Sequence, residues 1–490
     1  MRNELPDRDL FSPSRPEEID LSQGRLAPRL RAILYALQAL YVERPDMIQL
    51  VFNDLAQHGD SGKGREGMDA WRALVLLALR TGLNFDYNML TDLANNHEVL
   101  RRFMGVSLTE DFHPSRSAIH DNIMLLREET IEQVNDALVE IGVKKNFEDG
   151  RVVRGDSFVC RTNTHYPTDV RLVRDGVEAV IRLCTEHSDG KNGWRQHKKL
   201  MKKTASLYRS YMQNKRSTRK RKKKAAAVES ALKAYLKHAR EMTEKALQYL
   251  ADYTSDQLEP VEFPVQDRSE GSLEEQIMYF LSGTEYVCRL TERRCLEGEQ
   301  IPHGEKVHSL YEPHTELINR GKYPIPIEFG HRVFLAQGTS GLILNHRVMG
   351  IGVTDDKILL PVLQELEERF QSKLEVASFD KGFYTPANLS KAEEHCDLVV
   401  IPKKGRLSKA DKAHQGSDKY QKHRLWRSGV ESLISAMVRS NGLDRCPDKG
   451  YAGFVKYVSA CVLSRNLQTL GNLLIAEEEK KQKQKRKKSA

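Results

Sequence analysis

The sequence predicts an α/β fold: a sheet-and-helix core with helices ahead of it and a long helical insertion within it. Three observations carry this expectation. Residues 152–160 are rich in β-branched and aromatic side chains, the composition of a half-buried strand. Segments before residue 150 and between 175 and 253 repeat apolar residues at helical spacing. From residue 306 onward the patterns read three strands, helix, strand, helix, strand, helix, the alternation that layers helices on a sheet.

Taken in order, residues 1–66 are expected to form a partly flexible N-terminal segment, polar and proline-containing at first, with an apolar helical stretch over 26–55. Residues 67–150 read as a helical, helix-turn-helix-like DNA-binding domain. There Trp71, Leu74, Val75, Ala78 and Leu79 share a helical face that Gly82 ends; a second helix covers 86–95, and a third covers 117–141 before Gly142. On pattern alone, such short helices suit a plain bundle better than a groove-reading motif. Residues 175–305 form a helical basic insertion, 151–174 with 306–475 the sheet-bearing core, and 476–490 a basic tail. Within the core, strands are expected at 306–311, 331–335, 341–348, 374–379 and 396–402, with helices at 358–370 and 386–395.

Three acids fall at the ends or flanks of these elements. Asp156 interrupts a strand-like run, where strand propensity disfavours it. Asp380 ends another strand-like run just before Gly382 and a helix, and open α/β sheets hold ligands beyond such strand ends. Glu431 flanks the apolar stripe of Trp426, Val430, Leu433, Ile434 and Met437. Taken singly, each acid has a structural reading: a local cap for Asp156, a turn for Asp380, an i, i+4 pair with Arg427 for Glu431.

Charge adds a second signal. The chain has 77 Lys and Arg against 68 Asp and Glu, a formal +9, which favours polyanionic partners. Between residues 191 and 224 there are 15 basic residues and no acid. Lys215, Arg216, Arg219, Lys220, Arg221, Lys222, Lys223 and Lys224 are therefore the expected phosphate contacts. No apolar run approaches membrane-spanning length and residues 1–6 lack a signal-peptide core, so a soluble, cytoplasmic protein with no membrane partner is expected. The seven cysteines form no CxxC pair, which argues against a zinc ribbon or a disulfide framework. Gly62-Lys63-Gly64 lacks the frame of a phosphate loop.

The motifs Gly155-Asp156-Ser157, His165-Tyr166-Pro167-Thr168-Asp169, Gly321-Lys322 with Glu328-Phe329-Gly330-His331, Phe379-Asp380-Lys381-Gly382-Phe383-Tyr384 and Arg427-Ser428-Gly429-Val430-Glu431-Ser432 together resemble a bacterial insertion-sequence transposase of the DDE type. The likeness covers residues 151–471. It implies a ribonuclease H-like catalytic core with a mixed sheet, and a catalytic and metal-binding trio of Asp156, Asp380 and Glu431. Two Mg²⁺ ions are implied, with Mn²⁺ able to substitute, Asp156 bridging and the other two acids each holding one ion. The implied partners are double-stranded DNA, as terminal repeats and as target, and a second copy of the chain when two ends are paired; the implied place is the bacterial nucleoid. Related transposases often carry a Tyr seven residues before the glutamate and a Lys seven after it. Here Arg424 and Val438 stand at those positions, while Arg427 matches the expected arginine and Arg439 or Lys422 is the substitute for the absent lysine. Arg427 and Arg439 are accordingly expected DNA contacts. Two other outcomes share this core, a structure-selective nuclease that never joins strands and an inactive DNA-binding relic.

Overall fold

Pro45 divides the apolar stretch near the N-terminus. It follows helix α1 (Pro28–Glu43) and precedes α2 (Asp46–Ala56), because proline cannot continue an α-helix and pushes the residue before it out of helical geometry. Helix α3 (Ala70–Gly82) is buried along its whole length, as befits a helix that is apolar nearly all round. Then come α4 (Tyr87–Asn96), α5 (Glu98–Phe103), α6 (Arg116–Leu125) and α7 (Glu128–Lys144). The single helix expected over 117–141 is thus two. The fully buried carboxylate of Asp54 accepts from the Arg127 backbone N–H at 2.9 Å and from its Nε at 2.5 Å. A mid-helix N–H would already be committed to its own ladder.

The remaining elements are β1 (Val152–Arg161), α8 (Asp169–His187), α9 (His197–Arg216), α10 (Arg221–Tyr253), α11 (Leu273–Cys295), β2 (Glu316–Asn319), β3 (Ile327–Gln337), β4 (Ile343–Val348), α12 (Asp355–Phe370), β5 (Leu374–Ser378), α13 (Pro386–His395), β6 (Cys396–Val400), α14 (Lys409–Gly416), α15 (Asp418–Arg427), α16 (Gly429–Ser440) and α17 (Gly450–Lys488). This computed structural model describes every residue except 1–2, 6–14, 23–25, 58–66, 108–109, 219, 254–257, 269–270, 322–325 and 489–490. Much of the opening segment expected to be flexible, the glycine-rich loop at 59–64, Arg219 and Lys322 lie outside the described residues.

One local expectation is corrected. Residues 306–311 form no strand; Ser309 Oγ accepts from the backbone N–H groups of Tyr311 and Glu312, taking donors that a strand ladder needs, and the strand comes later as β2. The basic stretch after 475 continues α17 as far as Lys488.

The chain divides into two compact units: residues 1–160, 331–446 and 452–490 in the first, 161–330 and 447–451 in the second. The fold is mixed α/β with a six-stranded sheet. Within the first unit the strands run β4-β3-β1-β5-β6. There β3 and β4 form an antiparallel hairpin, whereas β1, β5 and β6 are parallel neighbours. In the second unit, β2 pairs antiparallel with residues 327–330 of β3, and α8 to α11 enclose a core that includes Trp194, Tyr235, Tyr279 and Phe280. Among the described residues no helix is long and apolar enough to cross a membrane.

Candidate active site

Parallel pairing brings two of the three expected acids side by side. Strands β1 and β5 pair with Val152 level with Val376, Val153 with Ala377 and Arg154 with Ser378. The same offset carried two residues further sets Asp156 level with Asp380, and level residues of parallel neighbours face the same way. The apolar layer beneath has the same register. A methyl on Gly155 would lie 2.6 Å from Phe379 and 2.8 Å from Phe334, so glycine is what lets β1 approach the clustered Phe334, Phe379 and Phe383 rings.

Asp156 is a half-buried carboxylate among like charges. Its Oδ1 accepts from the Ser157 N–H at 2.8 Å and its Oδ2 from Arg427 Nη1 at 3.3 Å. Burial pushes its pKa up to about 6, and the charges of Asp380 and Asp355 push the same way against the Ser157 N–H and Arg427. Asp380 caps the short turn after β5, its Oδ1 accepting from the Gly382 N–H at 2.6 Å.

Asp355, the first residue of α12, is a third carboxylate at this place. Its Oδ1 accepts from Ser157 Oγ at 2.7 Å. A methyl on Gly382 would sit 2.7 Å from Asp380 Oδ1 and 2.9 Å from Asp355 Oδ2, so glycine is what lets the turn pass this close to both carboxylates. Burial raises the Asp355 carboxyl; Ser157 and Arg332 oppose that rise, while Asp380 and Asp356 add to it. In the sequence, an acid at a helix start looks like ordinary dipole compensation, and that bland appearance hid Asp355.

Glu431 is not drawn into this group in the same manner. It is exposed on the first turn of α16, and the charges acting most strongly on Asp156 are those of Asp380, Arg427 and Asp355. Arg427, an expected DNA contact and a conceivable partner for Glu431, points its guanidinium at Asp156. The junction between α15 and α16 is nevertheless fastened to β1. Arg154, two residues before Asp156 and on the same strand face, donates to Trp426 O at 2.5 Å and to Gln337 Oε1 at 2.7 and 3.0 Å, and its guanidinium lies over the Trp426 ring. A methyl on Gly429 would fall 2.1 Å from Arg154 Nη1. Glycine there lets the junction close on the arginine.

Among the described residues no group of three or more His, Cys, Asp or Glu side chains is gathered closely enough to hold a metal ion as folded. Asp156 and Asp380 on neighbouring strands, with Asp355 beside them, gather negative charge at this place, and burial together with that charge raises the Asp156 carboxyl.

The other expected DNA contacts lie elsewhere. Lys215 and Arg216 are exposed at the end of α9; Lys220 is exposed just before α10, Arg221, Lys222 and Lys223 are exposed in its first turn, and Lys224 is half-buried there. Four cations with no acid at a helix N-terminus oppose both the macrodipole and one another. Arg439 is exposed near the end of α16 and donates to Ser435. No family model, curated protein or solved structure matches this chain.

Proposed function

We propose that this chain is a DDE-type DNA transposase with a ribonuclease H-like catalytic core, binding transposon-end DNA, cleaving a phosphodiester and joining the freed 3′ end to target DNA. The observation that carries this reading is the parallel pairing of β1 with β5, whose register, extended two residues past Arg154 and Ser378, sets Asp156 within β1 beside Asp380 just after β5. The strand order β4-β3-β1-β5-β6, one antiparallel hairpin beside three parallel strands, supports the ribonuclease H-like comparison.

Mg²⁺ held by Asp156 and Asp380, with Glu431, exposed on the first turn of α16, as the third ligand the resemblance implies, would supply, when bound, charge neutralisation at the phosphoryl group and an activated water. The chain's own residues define the rest. Ser157 and Gly382 donate backbone N–H groups that orient the Asp156 and Asp380 carboxylates. Arg427 supplies positive charge at Asp156. Arg154 secures the turn leading to Glu431 through its bond to Trp426.

The test is incubation of the purified protein with Mg²⁺ and labelled end-flanking DNA, following nicked and joined products. Asp156→Asn, Asp380→Asn and Glu431→Gln proteins that keep the wild-type circular dichroism are expected to lose both products. Persistent nicking would reject the assignment. Cutting without joining would favour a structure-selective nuclease, and DNA binding without metal-dependent cutting an inactive relic.

A further inference from the structure

Beside the three carboxylates lies a second cationic surface, separate in sequence from the 191–224 run. Residues 403–424 hold eight Lys or Arg against two acids, Asp411 and Asp418. One of those acids is consumed internally: Asp411 Oδ2 accepts from Lys403 Nζ at 2.7 Å and from Ser408 Oγ at 2.7 Å, in a capping box that starts α14. That arrangement ties loop 401–408 to the helix. Lys404, Arg406, Lys409, Lys412, Lys419 and Lys422 are all exposed, and among the described residues none of the six is ion-paired.

This surface is anchored to the strands that carry the acids. Lys404 Nζ donates to Gly382 O at 3.1 Å, two residues from Asp380. Tyr420 of α15 is buried against Val376 of β5 and Val400 of β6, and Ser378 Oγ at the end of β5 donates to His423 O at 3.2 Å. On α14, Lys409 and Lys412 are three residues apart, as are Lys419 and Lys422 on α15, so each pair shares a helix face. A phosphodiester approaching Asp156, Asp355 and Asp380 meets repulsion that nearby fixed cations would offset.

We propose that the surface formed by loop 401–408, α14 and α15 grips the phosphate backbone of the DNA strand being cut, next to the scissile bond. The proposal rests on the phosphodiester-cleaving reading of the acid site. Backbone gripping makes its affinity salt-dependent and indifferent to base sequence.

The experiment measures binding of a short labelled duplex by fluorescence anisotropy, with chelator present, over a series of salt concentrations. It uses the full chain and a variant with Lys404→Ala, Arg406→Ala, Lys409→Ala and Lys412→Ala. The variant is expected to bind about tenfold or more weaker at low salt, with a log affinity against log salt slope flatter by about 3.6 if all four contacts are lost, near 0.9 per lost phosphate contact. A variant keeping the charge, Lys404→Arg with Lys409→Arg and Lys412→Arg, is expected to retain both values. Unchanged affinity and slope in the alanine variant overturn the proposal, and so does equal loss in the charge-keeping variant, which would trace the effect to folding. Because binding is read without metal, the two readings fail separately. Loss of slope without any Mg²⁺-dependent nicking sinks only the transposase reading, and nicking with an unchanged slope sinks only this one.

Discussion

The acid-bearing strands of the first unit and the cationic helices of the second show two ways of using charge. At Asp156, burial and like-charged neighbours lift a carboxyl to about 6, so its proton and any counter-ion are strongly coupled to structure. At Arg221, Lys222 and Lys223 the side chains are exposed, and water screens them from one another. Crowded, partly buried charge suits chemistry at one point, while exposed charge of one sign suits a long polyanion. The difference between them is solvent, and it can be probed by substitution.

The largest effect is expected at the level pair. Asp156→Asn or Asp380→Asn should lower Mg²⁺-dependent nicking by roughly a hundredfold or more, measured by product formation on labelled DNA, whereas neutralising Lys220, Arg221, Lys222 and Lys223 together should leave nicking at saturating DNA largely intact. Near-equal losses from both would erase the contrast.

Next comes the packing beneath the acids. Gly155→Ala forces a methyl against Phe379 and Phe334 and should cost about 1–3 kcal/mol, read as a lowered urea midpoint. Gly429→Ala displaces only the end of a flexible arginine, Arg154, and should cost less stability while reducing nicking. If Gly429→Ala destabilised the fold more than Gly155→Ala, the junction would be part of the core and not a fastening for the site.

The pH response separates the regions further. The folded pKa of Asp156 lies above its unfolded value, so its contribution to stability is fully present below about pH 4 and is lost as pH rises through about 6. In chelator, the stability difference between wild type and Asp156→Asn should therefore shift against wild type by up to about 2 kcal/mol between pH 4 and 7, measured by urea unfolding at each pH. A flat difference would mean the carboxyl is not buried among like charges.

The smallest effect belongs to the cationic helix start. Replacing Arg221 and Lys222 with Glu reverses the unfavourable interaction with the α10 dipole and should stabilise the free protein by a few tenths to about 1 kcal/mol. The same change should weaken DNA binding and flatten its salt dependence. Stability gained with no loss of binding would return this run to solvated surface.

What the sequence determined by itself was local. Periodicity placed α12, α13, β5 and β6 to within a few residues, and composition marked the cationic run, because apolar spacing and charge density are properties of neighbours along the chain. It also marked Asp156 and Asp380 as acids out of place in strand-like runs. It erred where a distant partner intervened: Asp54 broke the helix before α7, and the Ser309 hydroxyl took donors from a would-be strand. The tertiary structure alone decided that Asp156 and Asp380 stand level, that Asp355 joins them through Ser157, that Arg427 turns to Asp156, and that Lys404 reaches Gly382. Each of these depends on register between strands or on the approach of helices remote in sequence, and a one-residue slip of β5 against β1 would turn Asp380 to the opposite face.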